Sequence, residues 1–433
     1  MTSDDVLVPG RPATRAAAAA TTAATSAAVG TTATRTTPAE VDAMDRALTL
    51  AARGPVHGPN PRVGCVLLAP AAATDSHPTR GGRTEPDVVH RDAVQPDAVV
   101  CASARAAVLA EGWHAGVGTP HAEVAALLAA RDAGVDVRGC TAVVTLEPCN
   151  HTGRTGPCAQ ALLDAGVARV VIAVADSNPV AAGGADHLRA AGVDVVTGVR
   201  EAEGRQLLRT WLPAVERSRP FVTLKIATTL DGRVAAADGS SRWITSEVAR
   251  QHAHSLRADC DAVVVGTGTV ATDDPSLTAR TADGELAAHQ PLRVVVGHRP
   301  VPDGARLRGP GGDLLHLATH DPAEVLADLH GREVRHVLVE GGPTLAAAFL
   351  RAGLVDEVYA YIAPVLLGSG PSAVGDLGLA SITDALRLVP REPVPLGPDV
   401  LVVAAAPPRP EAPAVGAAPA APSAPPTAPQ EEH

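Results

Sequence analysis

The residues with most chemistry in them lie between positions 121 and 158. His121, Cys149 and Cys158 offer one imidazole and two thiols in a stretch reading PHAEVAALLAARDAG and then TAVVTLEPCNHTGRTGPC. An imidazole and two thiolates suit a borderline-soft cation such as Zn²⁺. Three protein ligands leave a fourth tetrahedral position for water, the catalytic rather than the structural arrangement. Glu123 stands two residues from His121, too close to be an obvious fourth ligand but well placed to move protons. Zinc so held makes hydroxide available near neutral pH, and a carboxylate beside it can carry protons to substrate nitrogens. That is the apparatus of hydrolytic deamination.

Any one of these residues, taken singly, reads equally well as a packed core side chain. The constellation favours a site because each member sits at the end of an element. His-Ala-Glu opens a helical pattern whose apolar positions are Val124, Leu127 and Leu128. Glu-Pro-Cys ends the apolar, strand-like run 142–146, and a proline precedes the first Cys.

His-x-Glu followed by Pro-Cys and a further Cys resembles the cytidine deaminase superfamily. The usual two-residue gap between the cysteines is eight residues here, filled by NHTGRTGP, which resembles the riboflavin-biosynthesis deaminases. The similarity extends upstream to Gly58-Pro-Asn-Pro-Arg-Val-Gly64 and downstream to Asp176-Ser-Asn-Pro179. The family is the bifunctional pyrimidine deaminase/reductase of riboflavin biosynthesis. The resemblance implies that His121, Cys149 and Cys158 hold Zn²⁺, that Glu123 is the catalytic acid/base, and that Asn60 touches the substrate ring. From the residues alone, Asn60 between two prolines is equally an ordinary turn asparagine. His114, just before the ligand segment, reads either as a contact to substrate phosphate or as a surface histidine.

The chain has 433 residues and a net charge of −11, which suggests two or three domains and argues against a general nucleic-acid binder. No apolar run is long enough to span a bilayer. Six cysteines in no disulfide-framework spacing favour a reducing cytoplasm. Arginine has almost displaced lysine, and Lys225 is the only lysine.

Residues 1–38 and 405–433, rich in Ala/Thr and in Pro/Ala, are expected to be disordered tails. A helix is expected from Glu40, carried by Val41, Met44 and Leu48 and capped at Gly54, then a strand over 62–68. A polar, Pro/Gly-rich insertion occupies about 70–104. Alternating helices (159–165, 187–191) and strands (169–174, 193–196) indicate a layered α/β domain. Residues 200–218 read as one more helix, and 217–220 as a boundary. The deaminase domain is placed at 39–217 and a second domain at 218–404.

In the second domain, 221–227 reads as a strand, Asp231-Gly232 as a turn, and 246–258 as a helix capped by Thr245 or Ser246. The strand 262–265 leads into a Gly266-Thr-Gly-Thr269 turn, a weak phosphate signal. The strand 336–339 leads through Glu340-Gly-Gly-Pro-Thr344 into a helix over 345–352. Glycines after a strand, with proline in the first helical turn, make a better phosphate site.

Together these segments resemble the reductase half of the same enzymes. The resemblance implies a cytidine deaminase-like three-layer α/β/α domain followed by a dihydrofolate reductase-like α/β domain that uses NADPH. It assigns Ala227, Trp243, Thr269, Asp273 and the segment Gly342, Pro343, Thr344, Leu345, Ala346, Ala347 and Ala348 to NADPH. It assigns Ser241, Arg257, Leu277, Arg280 and Glu340 to the substrate, and places Lys225 near the reaction centre. Arg257 and Arg280 suit a sugar phosphate, which a guanidinium can bind bidentately. A lone lysine kept among arginines suggests a role that a planar fork cannot fill.

The expected activity is zinc-dependent deamination of a diaminopyrimidinone phosphoribosylamine followed by NADPH-dependent reduction of its ribosyl side chain. The expected partner is that small molecule, with no nucleic acid and no membrane, and homo-oligomerisation is compatible with the sequence. Two other readings are a nucleobase deaminase with an accessory second half, and a non-catalytic binding module. The first is disfavoured by the acidic charge, the second by retention of all three ligands with Glu123.

Overall fold

The computed structural model describes residues 36–70, 107–152 and 156–407. The expected tails and the insertion therefore fall wholly or mostly outside the described residues, as do 153–155 between Cys149 and Cys158. No helix among the described residues is long and apolar enough to cross a membrane.

The first half is built on five strands: β1 (Gly64–Leu68), β2 (Val108–Trp113), β3 (Thr141–Leu146), β4 (Arg169–Val174) and β5 (Asp194–Thr197). Their spatial order is β2-β1-β3-β4-β5. The first three pair antiparallel and the last three parallel. Strands β1, β3 and β4 are rich in Val, Leu, Ile and Ala and are buried almost throughout, as expected for strands covered on both faces. The helices are α1 (Pro38–Ala51), α2 (Ala122–Asp132), α3 (Cys158–Asp164), α4 (Gly184–Ala190), α5 (Glu201–Leu207) and α6 (Trp211–Glu216).

Three sequence expectations need correction here. Helix α1 starts in a capping box, Thr37 with Glu40, and ends at Ala51 rather than at Gly54. A Cβ on Gly54 would lie 2.7 Å from the His114 carbonyl oxygen, so that glycine serves a close backbone approach and not a cap. The buried face of α1 is carried by Ala43, Met44, Ala47, Leu50 and Ala51, with Val41 and Leu48 only half-buried. Finally, 200–218 is not one helix but α5 and α6. Pro213 has no N–H to donate, and its ring would collide with the carbonyl four residues back.

The second half contains a nine-stranded sheet. Its strands are β6 (Phe221–Thr229), β7 (Ala262–Gly266), β8 (Leu292–Val296), β9 (Leu314–Leu317), β10 (His336–Val339), β11 (Glu357–Ala363), β12 (Val389–Pro390), β13 (Val394–Leu396) and β14 (Asp399–Ala405). The order is β12-β14-β11-β6-β10-β7-β8-β9, with β13 also on β14. The six strands from β11 to β9 are parallel, and β14 runs antiparallel to β11, with β12 and β13 antiparallel on its other side. Helices α7 (Glu247–Ala258), α8 (Thr267–Asp273), α9 (Pro322–Gly331) and α10 (Pro343–Ala352) complete it. Ser246 caps α7, its hydroxyl accepting from the Ala249 N–H. The Gly266-Thr-Gly-Thr269 stretch is not an open turn. Gly266 is the N-cap of α8, and the Thr residues lie in its first turn.

Candidate active site

Three element ends bring the donor residues of the first half together. His121 is the N-cap of α2, Cys149 follows β3, and Cys158 is the first residue of α3. The sulfurs of Cys149 and Cys158 lie 3.6 and 3.3 Å from His121 Nδ1, and all three donor atoms fall within 4.8 Å of one another. Tetrahedral zinc, with bonds of about 2.0–2.3 Å, spaces such ligands about 3.5–3.8 Å apart, so the donor set fits this ion. The Cys158 N–H also points at the Cys149 sulfur, 3.4 Å away. Hydrogen bonding with Cys158, against the opposing effect of burial, pulls the Cys149 thiol well down, and His121 adds to it. The His121 imidazole is raised in turn by its hydrogen bond to Cys149.

Glu123 lies in the first turn of α2 and is only 3% exposed. Burial, with the Cys149 charge adding to it, pushes its carboxyl up to about 7. A carboxyl near neutrality can both take and give a proton at working pH. Asn60 Nδ2 lies 2.9 Å from His114 Nε2, and the His114 ring meets the His121 ring edge-on at 5.5 Å. His114 is buried, with Nδ1 3.1 Å from the Pro120 carbonyl, so it is not a surface histidine.

One supporting residue was missed in the sequence. The Glu147 carboxylate accepts backbone N–H groups from Asp176, Gly183 and Ala185 at 3.0, 3.2 and 2.9 Å. It thereby ties the end of β3, two residues before Cys149, to the loop after β4 and the start of α4. Its place between an apolar strand and Pro-Cys was the available signal.

In the second half, a cavity of about 640 Å³ opens beside β6 and α7. Of the sequence-designated residues, Lys225, Ala227, Ser241, Trp243, Arg257, Asp273, Leu277 and Arg280 line it. Glu340 lies beneath, its side chain 5% exposed, and joins Lys225 to Arg257: Lys225 Nζ is 3.5 Å from Oε2, and Arg257 Nε is 2.6 Å from Oε1. Arg257 Nη2 donates to Glu340 Oε2 at 2.8 Å and Nη1 to the Thr278 carbonyl at 3.1 Å. The fork expected to bind a sugar phosphate is thus filled by a carboxylate. Burial pushes the Glu340 carboxyl up, but Arg257 and Lys225 overcome this and hold it down at about 2.

Arg242, Arg250 and Arg306, not singled out from the sequence, join Arg280 on the wall of this cavity. A signal for Arg250 existed. Arg250, Ala253, His254 and Arg257 recur at helical spacing on one face of α7, and all four line the cavity.

Thr269 and the segment from Gly342 do not line that cavity but lie together beside it. A Cβ on Gly342 would be 3.7 Å from Thr269 Oγ1. Gly342 is the N-cap of α10, and no side chain caps the helix. The free N–H groups and dipole of such a start suit an anionic group such as a dinucleotide diphosphate. Thr344 is exposed and Gly342, Pro343, Leu345 and Ala348 are half-buried, whereas Ala346 and Ala347 are packed inside. Burial therefore removes the Ala346 and Ala347 side chains from the expected NADPH contacts, with Leu345 folded against Gly341.

Residues 39–174 match the family model for the cytidine and deoxycytidylate deaminase zinc-binding region, and residues 220–402 that for the RibD C-terminal domain. The chain is 52% identical over 290 residues to the riboflavin biosynthesis protein RibD of Mycobacterium tuberculosis, covering 67% of this chain and 84% of that protein. It is 37% identical over 393 residues to RibD of Escherichia coli K12, covering 82% and 96%. Among solved structures, it resembles the diaminohydroxyphosphoribosylaminopyrimidine deaminase/5-amino-6-(5-phosphoribosylamino)uracil reductase of Thermotoga maritima. That likeness has a TM-score of 0.69 at 31% identity and covers 85% of this chain and 99% of the other. With a deaminase half and a reductase half in one chain, the protein belongs to the RibD family of bifunctional deaminase/reductases of riboflavin biosynthesis.

Proposed function

We propose that the first half hydrolyses 2,5-diamino-6-(5-phosphoribosylamino)pyrimidin-4(3H)-one, releasing ammonia, and that the second half then reduces the ribosyl side chain with NADPH to give 5-amino-6-(5-phosphoribitylamino)uracil. The observation that carries the reading is the convergence of His121, Cys149 and Cys158 around a point beside buried Glu123. These three residues would hold zinc. When bound, zinc supplies the Lewis acidity that makes hydroxide available near neutral pH. Glu123 takes one proton from the attacking water and passes it to the pyrimidine ring, then takes the second proton from the hydroxyl now on C2 and gives it to the amine, which leaves as ammonia as the C–N bond breaks and the carbonyl forms. Asn60, braced by His114, holds the ring in place.

In the second half, bound NADPH supplies the hydride for C1 of the opened ribose. Lys225 sets an ammonium charge beside the reacting oxygen and is a candidate proton donor to it. Glu340 keeps that ammonium in place, and Arg257 keeps Glu340 in place. Arg280, with Arg242, Arg250 and Arg306 around it, provides the positive wall that a sugar phosphate needs. Ser241 and Leu277 line the same cavity on the substrate side. Ala227, Trp243, Asp273, Thr269 and the start of α10 remain the candidates for the coenzyme.

The test follows ammonia release and NADPH oxidation separately with the diaminopyrimidinone phosphoribosylamine. Ammonia release should precede NADPH oxidation. Removal of zinc with a chelator should abolish the first, while oxidation of NADPH by supplied deaminated intermediate continues. Turnover of cytosine-containing substrates, without turnover of the diaminopyrimidinone, would reassign the first half as a nucleobase deaminase.

A second expectation concerns Gly184, the first residue of α4. A Cβ there would lie 1.8 Å from the Pro148 carbonyl oxygen, so Gly184→Ala must push the backbone just before Cys149. Zinc affinity should fall about 10- to 100-fold, the usual cost of disturbing a ligand's support, as measured by competition with a chromogenic chelator.

A further inference from the structure

The loop that carries Asn60 is held from the reductase half. The Gly58 N–H donates to Asp261 Oδ1 at 2.5 Å, and Asp261 immediately precedes β7 of the nine-stranded sheet. The other oxygen of the same carboxylate accepts the Arg335 and His336 N–H groups, at 2.8 and 2.9 Å, where β10 begins. One carboxylate thus joins two parallel strands of the reductase sheet to a loop of the deaminase. Gly58 has φ +98°, a left-handed conformation that favours glycine, and it presents its N–H to Asp261 in that shape.

The residues on either side are also held. The His57 ring stacks on His289 at 3.5 Å and within 4° of parallel, and His289 Nε2 lies 2.9 Å from the Cys260 carbonyl. The Pro59 carbonyl accepts the Trp211 indole N–H at 2.8 Å. On the deaminase side, Arg62 clamps the far end of the loop to the Ala52 and Gly54 carbonyls. Asn60, between Pro59 and Pro61, meets His114, whose ring lies edge-on to the candidate ligand His121. A continuous path of contacts therefore runs from the first residues of β7 and β10 to the candidate metal centre.

We propose that Asp261, a residue of the reductase half, is a positioning residue for deamination, fixing the loop that aims Asn60 at the pyrimidine. This rests on the reading of Asn60 as a substrate contact. On this view the reductase sheet forms part of the support of the deaminase pocket, and the fusion does more than tether two enzymes. A loop displaced by about 1 Å can cost about 100-fold in rate, so a single anchor of this kind has a measurable effect.

Asp261→Asn is the informative variant. The amide oxygen can keep the two β10 N–H groups, while the amide nitrogen sets a donor against the Gly58 N–H. In the full chain, kcat/KM for ammonia release should fall about 10- to 100-fold, with zinc content unchanged and reduction of supplied deaminated intermediate within about twofold of the parent. Added to Asn60→Ala, Asp261→Asn should cause no further loss, because both act through one contact. Deamination within twofold of the parent, parallel loss of both activities, or losses that multiply in the double variant would each overturn the proposal. An Asn60→Ala variant with normal ammonia release would instead remove the reading on which the proposal rests. Gly58→Ala leaves Asp261 and its β10 hydrogen bonds in place but disfavours the φ of +98° in which Gly58 meets Asp261, and should lower deamination in the same direction. It keeps the proposal testable if Asp261→Asn folds poorly, and unchanged deamination in it would then count against the proposal.

Discussion

Glu123→Gln should retain zinc and lose ammonia release by about 1000-fold, within the range that positioned general acid/base groups contribute. The substitution keeps the shape of the side chain and removes only its ability to exchange a proton. The three donor atoms are untouched, so metal content should equal that of the parent. Glu123 is buried in the first turn of α2 and is the acidic residue of that turn. Hydrolytic deamination moves two protons, one to the ring and one to the departing amine, and an amide can carry neither. NADPH oxidation by supplied deaminated intermediate should stay at the parental rate, because Glu123 belongs to the five-stranded half. Near-normal ammonia release from a zinc-loaded variant would remove Glu123 from its role.

The candidate ligand triad was legible because its members stand at the ends of strongly patterned elements. The apolar run of β3 and the helical repeat after His121 announce where the chain turns, and turns between buried elements are where side chains converge. The burial of α1 was less legible, since its core face is largely alanine, a residue that periodicity weighs lightly. The break between α5 and α6 was signalled by Pro213 but outweighed by a continuous helical composition around it. Arg257 shows a different limit. Its helical position was readable, but its partner Glu340 is 83 residues away, and only the fold decides that the guanidinium meets a carboxylate and not a phosphate. Asp261 shows the same limit more sharply. It reads as a polar residue before a strand, and nothing local indicates that its carboxylate reaches a loop 203 residues earlier in the chain.

Lys225→Arg should fail almost as completely as Lys225→Ala. Both should lower NADPH oxidation at least about 100-fold, a loss in the range seen when a single group stabilising transition-state charge is removed, with ammonia release within about twofold of the parent. Lys225 is on β6 with its side chain 20% exposed, its Nζ 3.5 Å from Glu340 and 5.8 Å from the centre of the Tyr361 ring. Glu340 already receives the fork of Arg257 through both oxygens. A second guanidinium therefore finds no free bidentate partner, and its bulk would crowd Tyr361. A compact ammonium can share the one remaining direction at Oε2 and still face the cavity. The pH dependence separates this role from that of its partner. Arg257 and Lys225 hold the buried Glu340 carboxyl down at about 2, so Glu340 stays ionised throughout the working range. Its depressed value means that the stability it contributes is present above its ordinary pKa and is lost only as pH falls towards 2. Any loss of reduction between pH 5 and 8 must therefore come from another group. Retention of a tenth or more of the parental reduction by Lys225→Arg would show that charge alone suffices at this position. Equal loss of both activities would mark Lys225 as a residue of the fold.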